Sequence, residues 1–304
     1  MNSQMVKQHP LIIGIGELLW DLLPAGKHLG GAPANFAYHA QALGAQALIV
    51  SRVGNDPLGR EILDRVRRFG LRTDGITINP LAPTGTVSVS LDAHGKPAFT
   101  IHENVAWDFI EAGEHLLEEA ARADAICFGS LAQRRLESRA AIRAVLAAAR
   151  PEALRFFDIN LRQHFWSPEI IAESLEQATV LKLNDEELQV VAKLFGLAGD
   201  ESAQLRWLSE RFNLQAVGLT KGGNGSSLLV EGELVTRPGS KLRIVDTVGA
   251  GDSYSAALVM GLLARDKPGT IIATAHRISD YVCTQPGAMP PMHPERPQQI
   301  SISL

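Results

Sequence analysis

Cysteine is scarce: Cys127 and Cys283 are the only two in 304 residues. Two thiols cannot build a multi-disulfide framework or a four-cysteine zinc site. Cys127 lies in the apolar run Ala125-Ile126-Cys127-Phe128 and reads as a small buried hydrophobe, which fits a reducing compartment. Excess basic charge is also lacking. Lys and Arg number 29 against 33 Asp and Glu, for a net charge of −4 and a pI near 6.1. That excludes the overall basic field of a general nucleic-acid binder. No apolar run approaches the roughly 20 residues of a bilayer span, and the polar stretch Met1 to Pro10 is no secretory signal. The expectation is a cytoplasmic protein with neither a membrane nor a nucleic-acid partner. Asn224-Gly225-Ser226 matches a glycosylation acceptor, read as chance without a secretion signal. Internal repeats and long linkers are absent too, so residues 1–304 read as one domain.

What is present is ordinary globular composition, 45% hydrophobic and 20% charged. Leu11 to Ile15 reads as a strand ending at Gly16, Ala32 to Leu43 as a helix closed by Gly44, and Ala47 to Val53 as a second strand. Asp56 caps a helix with Pro57 at its first position and Gly70 at its end. Thr86 to Leu91 and Ala98 to Ile101 then read as strands around the turn Asp92-Ala93-His94-Gly95-Lys96. With Leu19 to Leu29 they predict a small β lid. From about residue 110 the rhythm is regular. Strands at 124–128, 154–158, 180–183 and 215–219 alternate with helices near 111–121, 137–149, 169–178, 184–195 and 202–212. Such alternation predicts an α/β fold with a mostly parallel sheet covered on both faces. Strands 226–230 and 233–236 turn at Glu231-Gly232, and helices follow at 251–265 and 269–283. The tail, 286–304, holds five of the 16 prolines and reads as irregular.

The most informative stretch is Asp246-Thr247-Val248-Gly249-Ala250-Gly251-Asp252-Ser253. It follows the apolar run Leu242 to Val245, read as a strand, and opens an apolar helix. Small residues at 249–251 let backbone N–H groups approach an anion, and a helix N-terminus adds free donors and a partial positive charge. This is a phosphate cradle without the lysine of a Walker A loop. Asp252 lies at the mouth of the helix, whose field favours its carboxylate form and makes it a weak base. Phosphoryl transfer tolerates a weak base, because the acceptor proton leaves late. The plain alternative is a Gly-rich turn with an acidic cap. Earlier, Gly30-Gly31-Ala32-Pro33-Ala34-Asn35 opens another helix. Its glycines allow close ligand approach, and Asn35 offers a donor and an acceptor suited to sugar hydroxyls.

Gly30-Gly31 with Pro33-Ala34-Asn35 and Leu43-Gly44 resembles the N-terminal signature of the ribokinase-like (PfkB) sugar kinases. Asp246 to Asp252 resembles their C-terminal signature, and the resemblance covers about residues 11–290. Tyr254 stands where the family usually carries Phe, a swap that keeps the ring. The resemblance implies a three-layer α/β/α catalytic domain over 1–304, with a β lid from about 17–30 and 84–104. It implies Asp252 as the catalytic base, with Gly249, Ala250 and Gly251 as an anion hole. Asp21, Gly31 and Asn35 would hold sugar hydroxyls. Asn184-Asp185-Glu186-Glu187 matches the family's Asn-x-x-Glu, so Asn184 and Glu187 would position the Mg²⁺ of Mg-ATP, largely through water. Thr220, Lys221, Gly222 and Gly225 form the turn that meets the nucleotide in the family, although many members carry a small residue in place of Lys221. His276 falls where many members carry an adenine-contacting Asn, and a lone surface histidine is the alternative. A monovalent cation such as K⁺ would sit near Asp246, the Val248 carbonyl and carbonyls from Cys283 to Ala288. Relatives often cover the apolar face of the lid by dimerising, so a homodimer is expected.

Three features lean toward fructose as acceptor. Gly16-Glu17-Leu18-Leu19-Trp20-Asp21 is similar to the first-strand motif of fructokinases, and Asn104-Val105-Ala106-Trp107-Asp108 resembles their post-lid segment. Asp158-Ile159-Asn160-Leu161-Arg162 is similar to a motif of fructokinases and 2-keto-3-deoxygluconate kinases, placing Asn160 and Arg162 at the sugar. A strand-end salt bridge between Asp158 and Arg162 is the alternative. Phe99 would cover the apolar face of the sugar or belong to the lid core. The competing acceptors are 2-keto-3-deoxygluconate and aminoimidazole riboside. A dinucleotide-binding oxidoreductase is disfavoured, because Leu19 occupies the third glycine position after Gly14 and Gly16. A non-catalytic sugar-binding regulator would usually show a broken base or anion hole, and both are intact.

Overall fold

The computed structural model describes residues 9–23, 26–91 and 97–292. The turn Asp92 to Lys96, residues 1–8 and the tail from 293 onward lie outside the described residues. In chain order the elements are β1 (Leu11–Ile15), β2 (Leu19–Leu23), β3 (Gly26–Gly30), α1 (Ala32–Ala42), β4 (Gln46–Gly54), α2 (Pro57–Arg68), β5 (Ile76–Asn79), β6 (Gly85–Leu91), β7 (Pro97–Ile101), α3 (Glu114–Arg122), β8 (Ala125–Gly129), α4 (Leu136–Ala148), β9 (Leu154–Asp158), α5 (Pro168–Gln177), β10 (Val180–Asn184), α6 (Asp185–Phe195), α7 (Glu201–Arg211), β11 (Ala216–Thr220), β12 (Ser226–Val230), β13 (Glu233–Arg237), α8 (Ala250–Leu263) and α9 (Pro268–Cys283).

Nine strands form one sheet in the order β13-β12-β11-β10-β9-β8-β1-β4-β5, parallel except for the antiparallel pairs β11–β12 and β12–β13. The strand cores are apolar at successive positions because both faces are covered. In β1, Leu11, Ile13 and Ile15 pack with residues of α3 to α7, while Ile12 packs with α1, α8 and α9 on the other side. Period-two alternation therefore fills two cores and gives three layers. The lid is a separate four-stranded sheet, β3-β2-β6-β7, with β2 and β6 parallel and the outer pairs antiparallel. Leu19, Val87 and Ile101 anchor it to the main core.

The helix starts follow local chemistry. Asp56 accepts the Gly59 N–H at 2.8 Å and Pro57 opens α2, as the sequence predicts. One strand was not read from the sequence, and one expectation is corrected. Ile76–Asn79 forms the edge strand β5 on β4; its four residues are too short for alternation to stand out. Leu242 to Val245 is not a strand. Just before it, β13 already ends the sheet, so the run finds no ladder and is tied down by Val245 N–H on the Cys283 carbonyl at 2.9 Å. Ile244, Val245 and Val248 are 60%, 59% and 49% exposed, unlike any sheet-core strand.

Candidate active site

The carboxyl ends of the parallel strands, the lid and the start of α8 enclose a cleft of about 600 Å³. Three loops deliver its polar groups. The first is the turn into α8. Gly249 caps that helix at φ +80, and a Cβ there would lie 2.6 Å from the Ala288 carbonyl oxygen, so backbone shape and space both demand glycine. Ala250 N–H turns to the Thr247 carbonyl at 3.2 Å, while helix geometry leaves Gly251 and Asp252 N–H without intrahelical acceptors. A Cβ on Gly251 would stand 3.2 Å from Lys182 Nζ.

Asp252 is held by Asn35 of α1, whose Nδ2 donates to Oδ2 at 2.7 Å. Burial, then the nearby Asp158 carboxylate, push its pKa up to about 6. The sequence predicts a weak base from the helix field. Desolvation outweighs that field, and the group is a stronger base than expected.

The second loop opens α1. Gly31 caps it at φ +116, and Asn35 Oδ1 is buried without a hydrogen-bond partner. Asp21 faces this turn from β2, where Gly30 leaves room for its carboxylate: a Cβ at Gly30 would meet Asp21 Oδ2 at 2.5 Å. Burial raises the Asp21 pKa, opposed by His28 and Arg162. The third loop follows β9. Asn160 adopts φ +43, Arg162 Nη1 donates to the Leu161 carbonyl at 3.1 Å, and Gln163 Nε2 donates to the Phe99 carbonyl at 2.7 Å, tying the loop to the lid. Phe99 is 56% exposed and lines the cleft, so it is not lid core. Asp158 does not pair with Arg162. Lys182 Nζ donates to its two oxygens at 3.2 and 3.4 Å, and Ser255 Oγ donates at 3.0 Å.

Asn184 and Glu187 form a capping box at the start of α6. Asn184 Oδ1 accepts Glu187 N–H at 2.8 Å, and Glu187 Oε2 accepts Asn184 N–H at 2.8 Å. Glu187 Oε1 accepts Leu161 N–H at 2.9 Å, which links this box to the third loop. Burial raises the Glu187 pKa, opposed by Lys182. Asp246 accepts Val248 N–H and Gly287 N–H, each at 3.0 Å.

The cleft thus gathers Asp21, Gly31, Asn35, Phe99, Asn160, Arg162, Asn184, Glu187, Thr220, Asp246, Val248, Gly249, Gly251 and Asp252. Ala250, Lys221, Gly222, Gly225 and His276 do not line it. Lys221 Nζ bonds both oxygens of Glu201 and Ser227 Oγ, all at 3.1 Å, which competes with any phosphate contact. His276 is buried, not a surface histidine. Its Nε2 lies 2.7 Å from Ser226 Oγ, its ring meets Tyr254 edge-on, and burial favours its neutral form.

Among the lining residues to which sequence reasoning assigned no role are Lys182 and Glu17. Lys182 sits inside the apolar run of β10, and a lysine buried on a sheet interior implies a carboxylate partner; that was the available signal. Glu17 stands in the bend after β1, 4% exposed, with Oε1 accepting Ala32 N–H at 3.3 Å. Burial raises its pKa to about 7. A buried carboxylate able to take a hydroxyl proton, beside a helix start able to hold anionic oxygens, has the chemistry of phosphoryl transfer to an alcohol.

Comparison with known proteins agrees. A fructokinase of Klebsiella pneumoniae is 30% identical over 272 residues, 86% of this chain and 87% of that protein. Among solved structures, an uncharacterized sugar kinase of Pyrococcus horikoshii is 27% identical and superposes with a TM-score of 0.77, covering 94% of this chain and 95% of that one. A Vibrio cholerae fructokinase solved with fructose, ADP and calcium ion is 26% identical, with a TM-score of 0.78 over 93% of this chain and 96% of that one. The profile of the pfkB family of carbohydrate kinases matches residues 25–295, and with the cleft described above this chain belongs to that family: it is a ribokinase-like sugar kinase.

Proposed function

We propose that this kinase transfers the γ-phosphoryl group of Mg-ATP to the terminal hydroxyl of D-fructose. The observation that carries the transfer is Asp252: a buried carboxylate, raised to about pKa 6, held by Asn35 at the mouth of α8. At neutral pH it is ionised yet basic enough to accept a proton. In the proposed step the sugar oxygen forms a bond to the γ-phosphorus, its proton passes to Asp252, and the bond from phosphorus to the bridging oxygen breaks to release ADP. Gly249, Ala250 and Gly251 let the helix start approach the transferring group, with the Gly251 and Asp252 N–H groups as donors. Asp21, Gly31, Asn35, Asn160 and Arg162 hold the acceptor, and Phe99 covers it when the lid excludes water. Thr220, Gly222 and Gly225 shape the nucleotide side. Lys221, engaged by Glu201, and His276, packed on Tyr254, stand beside the nucleotide side, and a phosphate contact by Lys221 would draw it from Glu201.

Asn184 and Glu187 fit a Mg²⁺ reached through water, because they are oxygen donors whose inner lone pairs already serve the helix cap. Mg²⁺ there supplies neutralisation of phosphate charge. Each Asp246 oxygen accepts one N–H and keeps a lone pair, so Asp246 with the Val248 carbonyl fits a K⁺ ion, and no step runs through it. The reading goes with a cytoplasmic location and a homodimer formed through the lid.

Fructose is supported by the Klebsiella and Vibrio relatives and by the motifs at 16–21, 104–108 and 158–162. A second reading, 2-keto-3-deoxygluconate, is favoured by one observation: among the described residues Arg162 pairs with no carboxylate. ADP release is the test, with D-fructose, 2-keto-3-deoxygluconate, ribose and aminoimidazole riboside as acceptors, each with and without K⁺. We expect turnover on fructose. Turnover on another acceptor alone would overturn the sugar assignment and keep the transfer. Turnover undiminished in Asp252→Asn would overturn the base.

A further inference from the structure

Glu17 lines the cleft and belongs to neither the proton acceptor nor the anion cradle. Its Oε1 caps α1, where Gly31 offers no side chain, but its Oε2 is buried without a hydrogen-bond partner, on a residue that lines the cleft. An unpaired buried carboxyl oxygen is costly, and one on a residue that lines a binding cleft can be satisfied by what binds there once the side chain turns. We propose that Glu17 is a specificity-determining residue: its free Oε2 bonds a hydroxyl of a neutral sugar and sets the cleft against acidic acceptors. The inference rests on the reading of this cleft as the acceptor site.

The charge around it supports this. Asp21 on β2 and Asp252 on α8 are the other acids on the acceptor side, and Glu187 on α6 lines the far wall. The facing basic groups are Arg162 after β9, Lys182 on β10 and the His28 imidazole on β3, and Lys182 is already committed to Asp158. An acceptor carboxylate would enter among three acids with Arg162 as its counter-charge. A sugar hydroxyl can accept from a neutral Glu17 or donate to an ionised one; a substrate carboxylate tolerates only the neutral form. Burial holds the Glu17 pKa near 7, so that distinction falls in the working pH range. Preference for neutral over acidic acceptors therefore grows as pH rises through about 7.

The test is calorimetric binding of D-fructose and of 2-keto-3-deoxygluconate to the full chain, wild type and Glu17→Gln, between about pH 6 and about pH 8.5. Glutamine keeps an oxygen for Ala32 N–H, so its Tm reports whether the cap survives. In the wild type we expect the affinity ratio of fructose to keto acid to rise about tenfold across this range. In Glu17→Gln the ratio is flat and lies below the wild type at the alkaline end. Asp21 and Asp252 titrate in both proteins, so the slope lost in the variant belongs to Glu17. A flat wild-type ratio, or the same slope in Glu17→Gln, would overturn the inference and leave Glu17 as a helix cap. A flat wild-type ratio overturns the inference even if the variant fails to fold. Preference of the wild type for the keto acid would overturn the fructose assignment, yet the slope would still be read. Binding of neither compound would overturn both.

Discussion

Asp252 carries opposite consequences for activity and for stability. Burial and Asp158 raise its pKa to about 6, so in the proposed reaction kcat/KM for the sugar falls below about pH 6, as the base becomes protonated. A pH–rate profile with saturating nucleotide checks this limb. Because the folded-state pKa lies above the unfolded value, the group's favourable contribution to folding is present at low pH and is lost as pH rises through about 6. Asp252→Asn should therefore cost about 10³-fold or more in turnover while raising Tm at pH 8 by a few degrees, read by calorimetry on the same sample. Lys182 couples to this carboxylate. Replacing it by Met leaves Asp158 buried without its cation, which should cost about 3 kcal/mol or more in chemical denaturation. The same change removes a positive charge that lowers the Asp252 pKa, so the acid limb should move to higher pH.

At the scale of elements, two helix starts do most of the positioning. At α8, Gly249→Ala would force a side chain into a left-handed backbone and against Ala288. Loss of turnover with little change in far-UV circular dichroism is expected, because the cradle shifts while the apolar helix behind it still packs. At α6, Asn184→Ala removes one half of the capping box and should cost about 1 kcal/mol. It should also raise the Mg²⁺ concentration needed for half-maximal rate. A denaturation curve and a Mg²⁺ titration separate the two effects. These starts were legible because capping chemistry is local: Asp56-Pro57, Asn184 to Glu187 and the glycines at 249 and 251 announce themselves within a few residues. Strand status is not local. Leu242 to Val245 has the composition of a strand and lacks a neighbour to pair with, while Ile76–Asn79 is barely long enough to read and has one in β4.

For the molecule as a whole, the lid is the part whose function depends on something beyond the main sheet. Its four strands form a separate small sheet, and a homodimer through the lid would cover the face turned away from the cleft. Sedimentation equilibrium at micromolar concentration should return twice the mass of one chain; a monomer at that concentration would remove dimerisation from the proposal. Fructose and nucleotide together should protect the amides of β2 and β6 from hydrogen exchange more than either alone, if the lid closes over both.

The amino-acid sequence by itself determined the α/β rhythm, the two glycine-rich helix starts and the identity of the groups at them, Asn35 and Asp252. Apolar periodicity and capping are short-range and survive being read one segment at a time. Only the tertiary structure decided how far burial raises the Asp252 pKa, that Asp158 spends itself on Lys182 and not on Arg162, that Lys221 pairs with Glu201 and His276 with Ser226, and that Glu17 keeps one buried oxygen unpaired. Those outcomes depend on desolvation and on charges brought together from strands and helices far apart in the chain. Such terms do not exist until the sheet is assembled.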